Sequence, residues 1–412
     1  MKEKEPMHPR ELRIEDFTYD LPAERIAQHP LAERDASKLL VFSGGGIVDH
    51  RFGSLAAHLP EGTLLVLNDT RVVKARIVFH RASGARIECM VLEPEDGRPM
   101  ELALQDLGVS RWWCMVGNAK RWAGETLKVG EGATTLRAER KAQRDGEHLV
   151  EFTWEGGSTF GEMLALHGHV PLPPYMKRKD DTDDPARYNT VFAERDGSVA
   201  APTASLHFTP DVLRSLGERG VRSAKVTLHV GAGTFLPVKA ERMEGHAMHT
   251  EQVRVPRATV ELLRDAMGRS PIVPVGTTAL RTVESLCWFG DDLLEGRTAQ
   301  DLNVLQWRPY DRPPKDTRAA LDAVLRWMNE RELEEVTGHT AVIIAPGYRF
   351  RLADGLVTNF HQPSSTLLLL VAALIGEDWR AVYDHALANG YRFLSYGDGS
   401  LLWRKTGFGP EQ

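Results

Sequence analysis

The chain has 412 residues, of which 42% are hydrophobic and 26% are charged. This length suits two or three domains, and the composition excludes a chain that is mainly disordered. Its 51 lysines and arginines stand against 57 aspartates and glutamates, a net charge of −6 at pH 7. The charge excludes a generally basic surface, so a nucleic-acid partner would need a local basic patch.

The three cysteines are Cys89, Cys114 and Cys287, and none belongs to a CxxC pair. A disulfide framework and a thiolate zinc site are therefore not expected, and the predicted compartment is reducing and cytoplasmic. The longest apolar run, at 367–375, is far shorter than the ~20 residues that span a bilayer. We predict one buried helix there and no membrane partner.

The first part of the chain predicts one buried strand and then a small β-rich segment. Apolar residues 64–67 run into Asn68-Asp69-Thr70-Arg71, which is typical of a strand ending in a polar turn. Between 73 and 154, short apolar segments alternate with glycine-containing breaks and no helical period appears, which favours a barrel or sandwich. Its strands are predicted at 87–92, 112–116, 126–129 and 149–154.

The second part alternates strands with helices, which is typical of an α/β domain. We therefore predict a mixed α/β fold in which 11–72 and 155–412 form one discontinuous α/β domain and 73–154 form an inserted small β-barrel domain. The polar stretch at about 288–338 is predicted to be a surface excursion. Strands are predicted at 226–230, 272–275 and 341–345, and helices at 257–267 and 316–335.

Two glycine-containing turns follow predicted strands. The backbone amides of Gly231-Ala232-Gly233-Thr234 could cradle an anion, or this could be a tight turn in a packed sheet. Gly276-Thr277-Thr278 opens a predicted helix that carries Arg281, and could bind a carboxylate or a ribose. The alternative there is a helix cap followed by a surface ion pair of Arg281 with Glu284. No GxxxxGK[ST] motif is present, which excludes a phosphate-loop NTPase.

Five histidines lie beside strand ends or small-residue turns. Such histidines are most often hydrogen-bonded structural groups, but one or two could transfer protons. The pair His246 and His249, with Glu251 nearby, could hold a metal, yet nothing matches HExxH and no metal site is predicted. The five are His207, His229, His246, His249 and His361.

Two basic clusters could contact a phosphate backbone. Tyr175 precedes Lys177-Arg178-Lys179 in an extended, proline-rich segment, and Arg71, Lys74 and Arg76 precede the β-rich segment. Basic groups that alternate with an aromatic ring can follow a nucleic-acid strand and stack a base. The alternative for each cluster is a solvated surface.

Taken together, these motifs resemble the S-adenosylmethionine:tRNA ribosyltransferase-isomerase family of queuosine biosynthesis. The matching segments occur in the family's order along nearly the whole chain, and several are long and uncommon. They are 16–22, 67–71 (LNDTR), 168–175 (GHVPLPPY), 197–204 (GSVAAPTA), 206–208 (LHF), 227–235 (TLHVGAGTF), 248–249 (MH), 276–278 (GTT), 358–361 (TNFH) and 396–398 (YGD).

The resemblance implies a discontinuous α/β domain with an inserted barrel. It also implies a reaction in which the ribosyl part of S-adenosylmethionine moves onto 7-aminomethyl-7-deazaguanine in tRNA and becomes an epoxycyclopentanediol, while adenine and methionine leave. S-adenosylmethionine is then a co-substrate, and neither a prosthetic group nor an obligate protein partner is expected.

That chemistry needs a base for the carbon next to the sulfonium and an acid for the departing adenine. We expect His229 or His207 to transfer the proton, and His249 is a further candidate. Asp69 or Asp398 is expected to stabilise the charge. The residues expected to bind S-adenosylmethionine are Gly231, Gly233, Thr234, Gly276, Thr277, Thr278 and Arg281. Those expected to bind the tRNA substrate are Arg71, Tyr175, Lys177, Arg178, His361 and Tyr396.

Some positions depart from the family's usual pattern. Ser205 replaces a glycine, Gln362 and Ser364 alter the segment after His361, and Gly399-Ser400 follow Gly397-Asp398. These changes keep open a second hypothesis, a divergent paralog that binds RNA or modifies a different substrate. A common methyltransferase is not favoured, because its glycine-rich loop with a downstream acidic ribose contact is not evident.

Overall fold

The computed structural model describes residues 8–231 and 238–405 and has a mixed α/β architecture with several sheets. Its strands are β1 Lys38–Ser43, β2 Gly46–Arg51, β3 Leu64–Asn68, β4 Thr70–Val72, β5 Arg76–His80, β6 Arg86–Pro94, β7 Val109–Gly117, β8 Leu127–Val129, β9 Leu136–Arg144, β10 Glu147–Thr153, β11 Gly168–His169, β12 Arg195–Ser198, β13 Arg222–His229, β14 Glu251–Pro256, β15 Ile272–Pro274, β16 Leu302–Val304, β17 Glu335–Thr340, β18 Gly355–Asn359 and β19 Gly399–Trp403. Its helices are α1 Met100–Ala103, α2 Phe160–His167, α3 Asp184–Arg187, α4 Pro210–Glu218, α5 Arg257–Ala266, α6 Thr277–Leu294, α7 Arg308–Asp311, α8 Thr317–Glu330, α9 Thr366–Ile375 and α10 Asp378–Ala388.

The β-rich segment forms a seven-stranded antiparallel sheet in the order β11-β5-β6-β7-β10-β9-β8. Alternate side chains enter its core, as in β7, where Ser110, Trp112 and Cys114 are buried between more exposed neighbours. The sheet curls, so that β8 approaches β5. The strands predicted from the sequence in this segment are confirmed as β6, β7, β8 and β10.

A six-stranded mixed sheet, in the order β15-β3-β13-β14-β17-β16, forms the centre of the α/β part. Strands β15, β3 and β13 are parallel; β15 and β3 are almost wholly apolar, while β13 alternates polar residues with the buried Ala224, Val226 and Leu228. Because parallel strands end at the same edge, the residues after Asn68, His229 and Pro274 meet there.

A second, four-stranded sheet has the order β18-β19-β1-β2. This four-stranded sheet continues the six-stranded sheet. Val275, which follows β15, forms a parallel bridge with Val357 of β18, and the Gly276 N–H donates to the Val357 carbonyl at 2.7 Å. The segment after β18, which contains His361, therefore ends at the same edge as β15.

Two predicted elements differ from the structure. No strand forms at 341–345, although these residues are largely buried. The strand lies directly before them, in β17, where every second residue is buried. The helix predicted at 316–335 ends at Glu330, because Glu332 has a positive φ of 53° and the chain turns there into β17. The other predicted strands and helices of the α/β part, and the buried helix at 367–375, are confirmed as β3, β13, β15, α5 and α9.

The stretch at 288–338 is partly buried and partly exposed. It holds the end of α6, where Trp288 and Phe289 are each 1% exposed, and it contributes β16 to the central sheet. Its charged side chains are paired inside the protein: Arg308 donates to Asp292 at 2.8 Å, and Arg351 reaches Asp291 at 2.7 Å. Internal pairing accounts for part of the polar sequence of the stretch, and the segments 296–298 and 311–313 are exposed.

No helix within residues 8–231 and 238–405 has the length and apolar character needed to cross a membrane.

Candidate functional site

The polar turn after β3 joins the central strands at their carboxyl ends. Asn68 is fully buried; its amide donates to the Leu228 carbonyl at 3.0 Å, and its carbonyl accepts the Leu228 N–H at 3.0 Å. The side chain thus takes the place of a backbone partner on β13. The same amide lies 3.3 Å from the Thr278 hydroxyl on α6. Asn68 therefore ties β3, β13 and α6 together beneath a cleft.

This cleft, called cleft A here, encloses about 760 Å³ including its open mouth. The N-terminus of α6 lies in its wall, together with the turn after β18 and the segment at 200–204. Its lining residues are Tyr175, Ala200, Ala201, Pro202, Thr203, Ala204, Val230, Gly276, Thr277, Thr278, Thr358, Asn359, Phe360, His361, Gln362, Ser365, Leu367, Leu394 and Ser395.

A second space, cleft B, adjoins cleft A and encloses about 770 Å³ including its mouth. Thr277, Thr278, Ser365 and Leu367 line both clefts, so the two lie side by side at the start of α6. The remaining lining residues of cleft B are His246, Met248, His249, Glu251, Arg281, Val342, Ile343, Ile344, Thr366 and Leu370.

The start of α6 has the geometry expected for a ligand-facing helix terminus. Gly276 caps the helix with φ 87°, a conformation that glycine adopts without strain, and the cap carries no side-chain hydrogen bond. The free N–H groups of the first turn carry partial positive charge. Thr277 and Thr278 add hydroxyl groups on both sides of the boundary between the clefts.

Arg281 lies one turn further along α6 and forms an ion pair with Glu251, not with Glu284 as the surface alternative required. Its Nε donates to the Val342 carbonyl at 3.1 Å, and the side chain is about nine-tenths buried. Nη2 of Arg281 is buried and has no hydrogen-bond partner among the residues that the structure describes. Cleft B thus contains a buried cation with unused donor capacity.

His229 ends β13 and is 8% exposed. Its Nε2 lies 3.0 Å from Oε1 of Glu101, and its Nδ1 lies 3.0 Å from the Thr70 hydroxyl. Burial acts to raise the pKa of Glu101. The hydrogen bond and charge of His229, together with Arg254, outweigh burial and lower the pKa to about 2. Because an ionised carboxylate only accepts, Nε2 of His229 carries a proton. Nδ1, which faces the Thr70 hydroxyl, is the ring nitrogen that can accept a proton when it carries none.

A glycine makes room for the His229 ring. A Cβ on Gly197, which has φ 136°, would lie 3.0 Å from Cε1 of His229. The motif around Gly197 also closes the end of β13, since the Ser198 hydroxyl accepts the Val230 N–H at 3.0 Å. The sequence motif at 197–204 therefore positions both His229 and one wall of cleft A.

His229 opens onto a wide groove between the curled sheet and the α/β part, which Gly231 and His249 also line. His249 is exposed and lines cleft B as well. Burial, with the nearby His249, lowers the pKa of His246.

The predicted ligand residues Gly233 and Thr234 lie outside the described residues. Within 8–231 and 238–405, no three His, Cys, Asp or Glu side chains are grouped to hold a metal ion.

His249 lines cleft B, whereas the other proposed catalytic residues line neither cleft; these are His229, which lines the groove, and Asp69, Asp398 and His207. Asp69 accepts a hydrogen bond from Thr227 at 2.6 Å, and burial raises its pKa. Asp398 accepts two backbone N–H groups, those of Lys38 and Arg392, at 3.0 and 2.7 Å. His207 faces a small separate cavity. The structure does not bring these three together with His229.

His207 packs against Phe52, with ring centroids 4.7 Å apart, and its Nδ1 lies 2.9 Å from the Ser37 hydroxyl. Burial lowers its pKa to about 4. His361 lines cleft A, and its Nε2 lies 3.0 Å from the Thr358 hydroxyl. Burial also lowers the pKa of His361 to about 4. Both rings are therefore neutral near pH 7.

Tyr175 lines cleft A, where its hydroxyl lies 2.6 Å from the Ser395 hydroxyl, and burial raises its pKa to about 12. The nearby Arg178 is used internally: it grips the buried Asp184 through two hydrogen bonds of 2.6 and 2.7 Å. The Tyr396 hydroxyl donates to the same carboxylate at 3.0 Å. Arg178 and Tyr396 therefore hold the segment that presents Tyr175.

The two predicted basic clusters are neighbours in space. Arg76 donates to Asp180 at 2.7 Å, which joins the segment before β5 to the end of the 177–179 cluster. Arg71 is exposed, donates to the Ala193 carbonyl and borders a separate surface cavity. Lys177 and Lys179 are also exposed.

The three departures near the site have different positions. Ser205 is fully buried, and its hydroxyl has no hydrogen-bond partner within the described part of the chain. Ser364 has a positive φ of 54°. Gln362 lines cleft A, so of these three it is the one placed to contact a ligand.

Glu101 was not predicted from the sequence. It lies on the four-residue helix α1 inside the β-rich segment, 128 positions from His229, and no motif marks it. Ser395 and the 200–204 wall of cleft A were also not selected as site residues. The motif at 197–204 was a usable signal for that wall, whereas Glu101 required the fold.

Comparisons with known proteins agree with the sequence motifs. The family model described as queuosine biosynthesis protein matches residues 14–402. A relative from Rhizorhabdus wittichii, named S-adenosylmethionine:tRNA ribosyltransferase-isomerase, is 41% identical over 95% of this chain and 99% of its own. A relative of the same name from Anaeromyxobacter dehalogenans is 39% identical over 96% of this chain and 100% of its own.

A crystal structure of S-adenosylmethionine tRNA ribosyltransferase from Thermotoga maritima is 29% identical and covers 94% of this chain and 99% of its own, with a TM-score of 0.45. The family model and the full-length relatives extend over both the curled sheet and the α/β part. The chain therefore belongs to the queuosine biosynthesis protein family.

Proposed function

We propose that this protein transfers the ribosyl group of S-adenosylmethionine to 7-aminomethyl-7-deazaguanine in tRNA and isomerises it, giving epoxyqueuosine and releasing adenine and methionine. The observation that carries the proposal is the identity of about 40% with enzymes of that name over 95% of the chain. The adjacent clefts A and B, at the start of α6, are the place where such a ligand is proposed to bind.

S-adenosylmethionine is the proposed co-substrate, bound across the start of α6. Gly276, Thr277 and Thr278 surround the boundary between the clefts, and Arg281 lies in cleft B. Gly231 borders the groove from which His229 is reached, and the proposal extends to Gly233 and Thr234 of the same motif. His361 and Tyr175, both in cleft A, are proposed to contact the ligand or the deazaguanine base.

His229 is the proposed base for the carbon next to the sulfonium. Glu101 holds its Nε2 proton, which leaves Nδ1 to accept the proton once the Thr70 hydroxyl rotates away. His249, which borders both cleft B and the groove, is the proposed source of the proton for adenine. His207 is a second choice as base, and Asp69 or Asp398 is proposed for charge stabilisation; Asp69 accepts from the Thr227 hydroxyl and Asp398 from backbone N–H groups.

The proposed tRNA surface contains Lys177 and Lys179, together with Arg71, and Arg178 and Tyr396 support it from below. Replacing Lys177 and Lys179 with glutamine should weaken tRNA binding and reduce its salt dependence by about one slope unit per lost phosphate contact. Filter binding at several salt concentrations measures both. Arg214→Gln, an exposed charge on α4, is the matched control; an unchanged slope in the double variant would remove this surface.

We further propose that 73–154 form an inserted β-barrel domain within an α/β domain of 11–72 and 155–412. The seven-stranded sheet supports this division, since six of its strands come from 76–153 and β11 alone comes from elsewhere. A cytoplasmic location, the absence of a prosthetic group and of an obligate protein partner remain predictions.

The test uses purified full-length protein, S-adenosylmethionine and a tRNA that carries 7-aminomethyl-7-deazaguanine. Adenine and methionine should appear in equal amounts, and mass spectrometry of the tRNA nucleosides should show epoxyqueuosine. Binding of tRNA without adenine release would instead support the divergent paralog. Release of S-adenosylhomocysteine would identify a methyltransferase.

A further inference from the structure

The charged groups of cleft B form a pair, not a single cation. Arg281 and Glu251 are joined by an ion pair, and the side chains are 9% and 4% exposed. A buried carboxylate beside the guanidinium disfavours a simple anion, because the anion would be repelled by Glu251. A ligand that carries both a carboxylate and an ammonium group satisfies both partners at once.

Nη2 of Arg281, which has no hydrogen-bond partner within residues 8–231 and 238–405, provides the second observation. A buried guanidinium donor without an acceptor costs free energy that a ligand carboxylate would recover. A carboxylate such as Glu251 accepts about four hydrogen bonds, so it can take an ammonium group in addition to its present contacts. The N-terminal turn of α6, at Thr277 and Thr278, favours the same negative end.

Cleft B also has apolar walls, although His246 and His249 line it as well. Val342, Ile343 and Ile344 lie on one side, and Leu367 and Leu370 of α9 on another. These side chains suit an unbranched apolar chain between the charged group and the boundary with cleft A. Because Thr277 and Thr278 line both clefts, such a chain in cleft B points towards a nucleoside placed in cleft A.

We infer that cleft B is a subsite for a zwitterionic α-amino acid, with the carboxylate on Nη2 of Arg281 and the ammonium on Glu251. Resting on the proposed function, the occupant is the methionine end of S-adenosylmethionine, and cleft A holds the adenosyl end. The subsite holds this end of the ligand through its carboxylate and its ammonium group, and not through the sulfur-containing chain alone.

The test measures binding by isothermal titration calorimetry to the full-length protein. The probes are S-adenosylhomocysteine, its decarboxylated analogue, its deaminated analogue and 5′-methylthioadenosine, which lacks the amino acid. The wild-type protein should bind S-adenosylhomocysteine about 10-fold or more tightly than either singly truncated analogue. Equal affinity for all four probes would overturn the inference.

Variants assign each charge to its partner. In Arg281→Gln the preference for the carboxylate should disappear while the affinity for 5′-methylthioadenosine is unchanged, and in Glu251→Gln the preference for the ammonium should disappear. Arg264→Gln on α5, whose partner is Asp322, is the matched control and should keep both preferences. Full carboxylate preference in folded Arg281→Gln would overturn the assignment.

Arg281→Gln leaves Glu251 buried without this cation, which threatens folding. The double variant Arg281→Gln/Glu251→Gln removes both charges and should bind all four probes alike. Adenine release from S-adenosylmethionine and tRNA separates the two proposals. Adenine release without any carboxylate preference overturns the subsite alone, whereas no adenine release and no binding of any adenosyl probe overturns the proposed function and the subsite with it.

Discussion

His229 and His207 are both buried histidines that end short backbone elements, yet their surroundings differ. His229 lies between a carboxylate and a hydroxyl at the open end of the central sheet. His207 lies between the Phe52 ring and the Ser37 hydroxyl, and burial lowers its pKa to about 4. Burial lowers the pKa of His207 even though Asp398 lies near enough to oppose it, whereas Glu101 bonds directly to the His229 ring.

The largest expected effect is on His229. His229→Gln should reduce single-turnover adenine release by about 100- to 10,000-fold, because the variant loses a general base, while its thermal midpoint stays near that of the wild type. His207→Gln is the matched control and should release adenine normally for its folded fraction. If His229→Gln melts early and turns over normally when folded, His229 is structural and His207 becomes the candidate base.

Glu101→Gln tests the partner that distinguishes the two histidines. Loss of a hydrogen bond to a charged group should slow adenine release by about 10- to 100-fold, and Glu101→Asp should restore part of it. The folded-state pKa of Glu101, about 2, is below its ordinary value of 4.5, so its stabilisation is complete above about pH 4.5 and is lost as the pH falls towards 2.

Urea unfolding should therefore separate Glu101→Gln from the wild type at pH 7, and by less at pH 3.5. A gap that stays constant between these two pH values would contradict the assignment of the charge to Glu101.

Because of His207 and His361, we expect the stability of the fold to depend on pH, with no matching effect of these two residues on adenine release. Each has a folded-state pKa of about 4, below the ordinary 6.5, so the unfolded chain binds more protons between those values. Stability should be complete above pH 6.5 and should fall as the pH drops towards 4. His207→Gln should cost about 0.5–3 kcal/mol at pH 7 and show a shallower fall in its thermal midpoint between pH 6.5 and 4. An equally steep fall in that variant would assign the effect to other groups.

The smallest expected effect is that of chelation. His246 and His249 have the spacing of metal ligands but are not grouped with enough further ligands among the described residues. Adenine release should survive treatment with EDTA. Loss of activity that zinc restores would show that these histidines, rather than His229, define the chemistry.

The sequence predicted the parts of the site that are contiguous in the chain. Gly276-Thr277-Thr278 does open α6 at a cleft, and His229 does end β13. Side-chain partners from distant segments were not predictable. Helical spacing left open an ion pair of Arg281 with Glu284, one turn away. Glu284 instead accepts backbone N–H groups of residues 351–353 in the core. Helical spacing gives neighbours on one helix and says nothing about which face is buried.

Local alternation also predicted the strands of the curled sheet, because each is bounded by turns and buries every second residue. The strand predicted at 341–345 failed for the opposite reason. Its residues are apolar because they are packed on several sides, and apolar runs of that length do not reveal whether the backbone forms a ladder.

The bridge from Asn68 to Leu228 spans 160 positions in the chain. A ribosome adds about 5–20 residues per second, so β3 waits ~8–32 s for β13 to emerge during synthesis. The curled sheet, whose strands pair mostly with near neighbours in the chain, can form in that interval. The apolar strand β3 meanwhile has no partner, which makes the nascent chain at this stage a natural client for a chaperone that shields exposed strands.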